Sequence, residues 1–410
     1  MTALTAFSGF GVEIEYCIVG INDLECRPIA DRILADIASL PVSETDPAAW
    51  SNEFALHVLE MKNPSPVGKL EHLVSPFQRQ VGAVNDVLRP HGGRLMPTSM
   101  HPWMNPLTDM RHWEVDPFGV YRAYRRIFDT RSHGWGNLQS MHLNLPFADD
   151  AEFVRLHESI RLLLPIIPSL CASSGIADGR VTAYRDFRMH CYRHNAAAYP
   201  LITGCVIPDS VESRAAYETT ILEPMYASLA AQDPRGALRY DWLNSRGAIP
   251  RFDRNSIEIR VIDSQECPAA DLAVAAAITA AVHQLFENSA DQRFGHKPIP
   301  TGRLVRLFDA CVRFADHALI DDVDFLSLFG FSGQTCRAGD LWRHIMGRFP
   351  DRGVIDPSVW APHWAKLIDH GCLAHRIELA AGPEPSRMRL QSVYRELCEC
   401  LDHGEMFRSP

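Results

Sequence analysis

The sequence predicts an α+β fold: one antiparallel β-sheet with helices packed on its apolar face and a polar, concave opposite face. Three stretches carry this prediction, residues 10–19, 139–145 and 256–263. Each alternates apolar and polar side chains with the two-residue period of a β-strand. Such alternation is typical of antiparallel sheets in which helices cover one face and the other face stays polar.

The first of these strands places two carboxylates on one face. Apolar residues occupy the even positions from 10 to 18, so Glu13 and Glu15 share the opposite side. Neighbouring like charges on one face repel each other, so a strand otherwise built for burial carries them only where water or a cation offsets the charge. Taken alone, the pattern also fits an edge strand with a solvated face.

Three later stretches extend the polar face. His142 alternates with aliphatic residues in the second strand, and in the third Glu258 and Arg260 stand together opposite β-branched residues. A fourth stretch, residues 54–61, alternates less regularly and contains Glu60. Because carboxylate and imidazole groups recur on one side of several strands, we expect a concave polar surface that holds metal ions.

Helical periodicity predicts the layer that covers the apolar face. Residues 69–88 repeat apolar side chains at helical spacing, and the alanine-rich residues 269–287 directly follow the strand that contains Glu258. The chain is mostly helical in pattern after residue 302. We therefore expect one catalytic domain over residues 1–410, with a mostly helical C-terminal subregion at 300–410.

Composition excludes several classes of protein. The 410 residues carry a formal net charge of −10, which argues against nucleic acid as a partner. The longest apolar stretch, residues 272–282, is too short to span a membrane. The 11 cysteines include no CxxC pair, which indicates reduced thiols. We expect a cytoplasmic protein that acts on small molecules, and a homo-oligomer is compatible with the sequence.

Familiar nucleotide-binding signatures are missing. The sequence contains no Walker A motif, and residues 9–14 lack the third glycine of a dinucleotide-binding loop. If ATP binds here, divalent cations on carboxylates must hold its phosphates, with help from arginines, since Mg²⁺ prefers oxygen ligands.

Four motifs occur in a recognisable order: Gly11-Val12-Glu13-Ile14-Glu15-Tyr16, then Glu53 with Glu60, then His142-Leu143-Asn144, then residues 257–263. In this order they resemble the glutamate–cysteine ligase and carboxylate–amine ligase family. The resemblance implies a glutamine-synthetase-like fold, in which a curved sheet forms a funnel with Mg²⁺ and ATP at one end.

The resemblance also implies roles for individual residues. The expected ligands of Mg²⁺ (or Mn²⁺) are Glu13, Glu15, Glu53, Glu60, His142 and Glu258. Arg260 is expected to contact the transferred phosphate or the acidic substrate, and Arg185 is expected to be a second catalytic arginine. Asn144 is expected to help bind the nucleotide.

The implied reaction uses ATP as a co-substrate. The γ-phosphoryl group passes to the γ-carboxylate of glutamate or a similar acid, and an amine such as cysteine attacks the resulting acyl phosphate. Members of the family join glutamate to different amines, and no pattern in this chain identifies the acceptor. The base that deprotonates the amine is also not assigned.

Two other functions stay open at this stage. A metal-dependent hydrolase could use the same polar face, with Asp186, His190 and His194 as a second metal site, because they follow one another at four-residue spacing. An ordinary polar helix face explains that spacing better, because Arg188 and Arg193 interleave with these residues. A non-catalytic relative could also keep the fold and lose turnover.

Overall fold

The computed structural model describes residues 3–39, 47–116, 118–290, 299–349 and 353–408. The strands within these ranges are β1 (Gly11–Gly20), β2 (Ala49–Asn52), β3 (Val58–Lys62), β4 (Gly93–Met96), β5 (Ser140–Pro146), β6 (Ile176–Ala177), β7 (Arg180–Val181), β8 (Ala248–Arg251), β9 (Ser256–Asp263), β10 (Leu319–Ile320) and β11 (Cys336–Arg337).

Helices make up most of the remaining secondary structure. They are α1 (Ala30–Ala38), α2 (Glu71–Leu88), α3 (Pro106–Asp109), α4 (Val120–Ile127), α5 (His133–Gly136), α6 (Asp150–Leu163), α7 (Ile167–Cys171), α8 (Phe187–Tyr192), α9 (Pro200–Thr203), α10 (Arg214–Tyr217), α11 (Glu223–Leu229), α12 (Pro268–Ala290), α13 (Thr301–Phe314), α14 (Val323–Leu328), α15 (Ala338–Met346), α16 (Pro357–His370), α17 (Leu373–Ala381) and α18 (Arg387–His403).

Seven strands form one open antiparallel sheet in the order β2-β3-β1-β5-β9-β8, and β4 pairs with the second half of β1. The register places Glu13 opposite His142 and Glu15 opposite Glu60. Polar residues of three adjacent strands therefore meet on one face, as the alternation predicts. The pairing of β5 with β9 shifts between Met141 and Leu143.

The apolar face of the sheet is buried under helices. Alternate residues from Phe10, just before β1, to Ile18 are at most 1% exposed and share one core with apolar residues of α2, α6 and α12. By length and composition α12 could cross a membrane, but 83% of its most apolar window is buried inside the protein. Its hydrophobicity is thus explained by its place in the core, between the sheet and the neighbouring helices.

One strand boundary differs from the sequence prediction. The expected strand at 54–61 is displaced: β3 starts at Val58, and residues 53–57 connect it to β2, which the alternation did not predict. The short β2 has only four residues, too few for a period to show. The connection matters because Glu53 reaches the polar face from it and not from a strand.

C-terminal helices close one end of the polar face. Cys17 and Val19, on the same side of β1 as Glu13 and Glu15, pack with apolar residues of α17 and α18 in a second, smaller core. The polar face is therefore open only over the first half of β1, where the carboxylates lie.

Candidate active site

A cavity of about 410 Å³ opens over the polar face of the sheet. Strands β1, β5 and β9 contribute its ionisable side, while α4, α5 and α8 contribute much of the opposite wall. The strand residues of its ionisable side are Glu15, Ser140, His142 and Arg260, and they are joined there by Glu53 from the connection before β3 and by Arg188 from α8. Strand pairing brings the first four together, and the packing of the connection and of α8 adds the other two.

The first ligand cluster joins three strands. Glu13 of β1, His142 of β5 and Glu258 of β9 offer ligand atoms that lie within 4.8 Å of one another. The Nδ1 atom of His142 is 3.2 Å from a Glu13 oxygen and 3.7 Å from a Glu258 oxygen. One imidazole and two carboxylates of this kind form a donor set that a divalent cation accepts.

The second cluster consists only of carboxylates. Glu15, Glu53 and Glu60 also offer oxygens within 4.8 Å of one another. The backbone N–H of Ser140 donates to Glu15 at 2.8 Å, and the Ser51 hydroxyl donates to Glu60 at 2.6 Å. These bonds fix two of the three carboxylates on the face of the sheet.

Charge within the second cluster is unevenly compensated. Burial, reinforced by the charges of Glu15 and Glu60, raises the pKa of Glu53 well above its usual value. Burial likewise raises the pKa of Glu15. Burial also opposes ionisation of Glu60, but Lys62, 2.5 Å away, and the Ser51 hydroxyl outweigh it and lower the pKa of Glu60. A single lysine, Lys62, thus partly compensates the charge of a cluster of three carboxylates.

The first cluster is charge-balanced by arginines. Burial opposes ionisation of Glu258, but Arg260, His142 and Arg251 outweigh it and lower its pKa to about 2. The Nε of Arg260 lies 2.8 Å from one Glu258 oxygen, and Arg251 donates to the other at 2.9 Å. Burial also works against the charged form of His142, but Glu13 and Glu258 raise its pKa overall.

The two clusters fit divalent cations. In the second cluster, the raised pKa values of Glu15 and Glu53 indicate that their charge is not fully compensated, and an oxygen-ligated cation compensates it. In the first cluster, the donor set itself fits a cation. The all-carboxylate cluster matches the oxygen preference of Mg²⁺, while the imidazole in the other suits Mn²⁺ as well as Mg²⁺. The six predicted metal-ligand residues therefore lie in two adjacent groups of three.

Arg185 lies outside this arrangement. It pairs with Glu378 at 3.0 Å and with Asp316 at 3.3 Å, both in the C-terminal helical region, and does not line the cavity. Arg188, three residues later in α8, lines the cavity instead and pairs with Asp263 at 2.5 Å. Sequence reasoning missed Arg188 because its partner Asp263 is 75 residues away.

Asn144 lies beyond the ligand clusters. It is paired with Gly11 and Glu258 in the sheet, two residues past His142, but its side chain does not line the cavity. The structure therefore leaves Asn144 at the edge of the polar face, next to the first cluster.

The alternative second metal site is not assembled. Asp186 is buried and caps α8 by accepting a hydrogen bond from the Met189 N–H at 2.8 Å. The ring of His190 stacks on Tyr184 with centroids 3.9 Å apart. Within the described ranges, Asp186, His190 and His194 form no cluster with metal-ligand spacing. The observation that favoured a hydrolase is thus explained by helix capping and ring stacking.

An aromatic wall faces the ionisable side of the cavity, and sequence reasoning did not identify it. Tyr124 packs at a tilted angle against Trp135 and Trp242, with centroids 5.1 and 5.9 Å apart, and Phe54 packs edge-on against Tyr121 at 5.5 Å. These residues come from loops and short helices, where no period reveals a shared face. The dense aromatic content of residues 113–135 was the only signal in the sequence.

Comparisons with known proteins bear on both family and fold. The model of the glutamate–cysteine ligase family 2 matches residues 9–311. An uncharacterised protein of Archaeoglobus fulgidus is 30% identical over 391 residues, which cover 94% of this chain and 97% of that relative. The crystal structure of glutamate–cysteine ligase from Francisella tularensis in complex with AMP matches with a TM-score of 0.60 and 13% identity, over 98% of this chain and 90% of that one. The structural match confirms the predicted glutamine-synthetase-like α+β fold.

Proposed function

The chain belongs to the glutamate–cysteine ligase family 2, and on that premise we propose that it is an ATP-dependent ligase that joins the γ-carboxylate of glutamate, or a similar acid, to an amine. The observation that carries this proposal is the pair of ligand clusters, Glu13/His142/Glu258 and Glu15/Glu53/Glu60, beside a cavity edged by Arg260. A site with two such clusters and a neighbouring guanidinium is suited to polyphosphate chemistry.

The reaction needs an activated carboxylate. A carboxylate is a poor electrophile, so the γ-phosphoryl group of ATP is first transferred to it, which gives an acyl phosphate and ADP. The amine then attacks the acyl carbon, and inorganic phosphate leaves. Mg²⁺ bound by the two clusters supplies positive charge that offsets the charge of the phosphates. The protein otherwise acts by holding the reacting groups in line and excluding water.

The arginines of the site have different tasks. Arg260 is 20% exposed at the side chain and is held beside Glu258, so its guanidinium can offer its remaining N–H groups to an incoming phosphate or carboxylate. Arg188 is almost fully buried and donates to the backbone oxygen of Arg260 as well as to Asp263. Arg188 therefore positions the strand that carries Arg260.

The cavity itself suits an amino acid or small amine. Its ionisable side binds the charged end of such a molecule, and the wall of Phe54, Tyr121, Tyr124 and Trp135 accepts an apolar or aromatic body. This lining supports an acceptor amine with a substantial apolar part.

The proposal is tested by measuring ADP release. Purified protein is incubated with ATP, Mg²⁺, glutamate and a panel of amines that includes cysteine and aromatic amines, and each component is omitted in turn. We expect ADP release that requires Mg²⁺ and the acid and rises with one class of amine. ADP release that is independent of both acid and amine, or no ATP turnover with any pair, contradicts the proposal.

A further inference from the structure

A second kind of metal-ligand cluster lies beneath the cavity, outside the acidic clusters. Cys17, Cys26 and His57 offer two sulfurs and a ring nitrogen that lie within 4.8 Å of one another. Cys17 is on β1, two residues past Glu15. Cys26 follows β1 and bridges back to Val19. Three separate segments of the chain thus converge on one point.

The imidazole in this cluster interacts with a thiol. His57 is fully buried, and among the described residues its ring nitrogens make no hydrogen bond of good geometry but interact with the Cys26 thiol and the backbone of Gly136. The backbone around it is firmly placed, since the Ile18 N–H donates to the His57 carbonyl oxygen at 2.7 Å. A cation between the ring and the two sulfurs can therefore be ligated by all three donor atoms.

The surroundings of the cluster are those of a soft-metal site. Cys17 is 1% exposed and Cys26 is half-buried, and both are free thiols. Cys26 also packs in a small apolar cluster with Met104 and Met110.

We propose that Cys17, Cys26 and His57 bind a thiophilic divalent cation of the Zn²⁺ class. Zinc binds sulfur at about 2.3 Å and imidazole nitrogen at about 2.0–2.1 Å. The ligand atoms of a tetrahedral zinc site therefore lie less than 4.8 Å apart, as the three donor atoms of this cluster do. Three protein donors leave the fourth position to a water molecule on the side of the half-buried Cys26. Two thiolates and an imidazole select a soft cation and discriminate against the Mg²⁺ that suits the carboxylates nearby.

Such an ion has a structural role next to the active site. It ties β1 and the turn after it to His57, which ends the connection that carries Glu53 and Phe54 into the cavity. The ion therefore fixes one wall of the cavity without contacting the reacting groups. This inference goes beyond the proposed ligase activity and stands without it.

The experiment uses full-length protein purified with a reductant and without added metal. Its metal content is measured by elemental mass spectrometry. Co²⁺ is then titrated into the metal-free protein, with Mg²⁺ present in excess so that it occupies the carboxylate clusters. We expect one equivalent of zinc after purification and, with Co²⁺, the near-ultraviolet charge-transfer band that only thiolate ligation gives. The Co²⁺ titration needs no variant.

Two variants locate the ion. Cys26→Ser should abolish the stoichiometric zinc and at least halve the charge-transfer band, while the matched control Cys205→Ser, at an exposed cysteine, should leave both unchanged. The proposal is overturned if the wild-type protein contains no zinc and gives no thiolate band with Co²⁺. A Cys17–Cys26 disulfide that persists in the metal-free protein despite the reductant likewise overturns it, because it assigns the pair to redox chemistry.

Discussion

Glu13 on β1 is the direct cross-strand partner of His142 on the adjacent strand β5, and the Nδ1 atom of His142 lies 3.2 Å from a carboxylate oxygen of Glu13. The two residues are 129 positions apart in the sequence, so only the antiparallel pairing of β1 with β5 brings them together. The pairing of β1 with β3, its neighbour on the other side, places Glu15 beside Glu60. The geometry of both ligand clusters is therefore set by the register of the central strand.

Replacing Glu53 should change activity and stability in opposite directions. Because burial and two neighbouring carboxylates raise the pKa of Glu53, its charge destabilises the metal-free protein. Glu53→Gln should therefore raise the melting temperature in EDTA and reduce ligation by at least about 100-fold, since it removes a metal ligand. The exposed Glu223→Gln serves as the control and should change neither quantity. Unaltered turnover in Glu53→Gln argues against metal binding by this residue.

Glu258→Gln should lower the stability of the protein, whereas Glu53→Gln should raise it. Glu258 is 2% exposed at the side chain and pairs with Arg251 and Arg260, so the amide leaves two guanidinium groups without their anion. Breaking a buried pair costs about 3–5 kcal/mol. Chemical denaturation should show that loss, and steady-state assays should show no ligation. A variant as stable as the wild type contradicts the assignment of Glu258 as the anion of this cluster.

The pH dependence of stability follows from the same carboxylate cluster. A raised pKa means that folded Glu53 keeps its proton at pH values where the unfolded residue, with a pKa near 4.5, has lost it. The folded state then binds more protons, so this contribution to stability falls as the pH rises from about 4.5 to the folded pKa. In EDTA, the difference in melting temperature between Glu53→Gln and wild type should therefore widen with pH, and saturating Mg²⁺ should cancel it. A difference that does not change with pH contradicts the raised pKa.

Arg260→Lys tests the phosphate contact. Lysine keeps the charge but loses the planar fork that makes two parallel hydrogen bonds to an anion. The variant should fold normally and lose about 100-fold or more in kcat. If Arg260 serves only as an ion pair for Glu258, lysine replaces it almost equally well, and near wild-type kcat and KM values would show this.

Replacing Arg185, just before α8, and replacing Arg188, within α8, should have sharply different effects on stability and turnover. Arg185→Gln removes a half-buried ion-pair partner of Asp316 and Glu378 and should leave turnover within a few-fold of wild type. Arg188→Gln leaves the fully buried Asp263 without its cation and should cost about 3–5 kcal/mol of stability. Denaturation and kinetics of both variants check this. A large loss of kcat in a stably folded Arg185→Gln would restore Arg185 to the catalytic residues.

The sequence was most informative where side chains follow a period. The two-residue alternation predicted β1, β5 and β9 and the shared face of Glu13, His142 and Glu258, because pleat geometry alone fixes which side a residue faces. Arg188 and the aromatic wall were not predicted, since they reach the cavity from loops and short helices whose placement depends on tertiary packing. The position of Arg185 could not be predicted for the same reason: it lies three residues before Arg188, and tertiary packing turns Arg185 toward the C-terminal helices and Arg188 toward the cavity. A catalytic role for Arg185 stays a prediction.

The central claim is that ATP activates a carboxylate in this cavity, and oxygen transfer tests it most directly. Glutamate labelled with ¹⁸O in its γ-carboxylate is supplied with ATP, Mg²⁺ and the best amine of the panel, and the released inorganic phosphate is analysed by mass spectrometry. The account predicts that each phosphate carries one labelled oxygen, because the acyl phosphate breaks at the acyl carbon. ADP release with unlabelled phosphate would contradict it, since the phosphoryl group would then have passed to water.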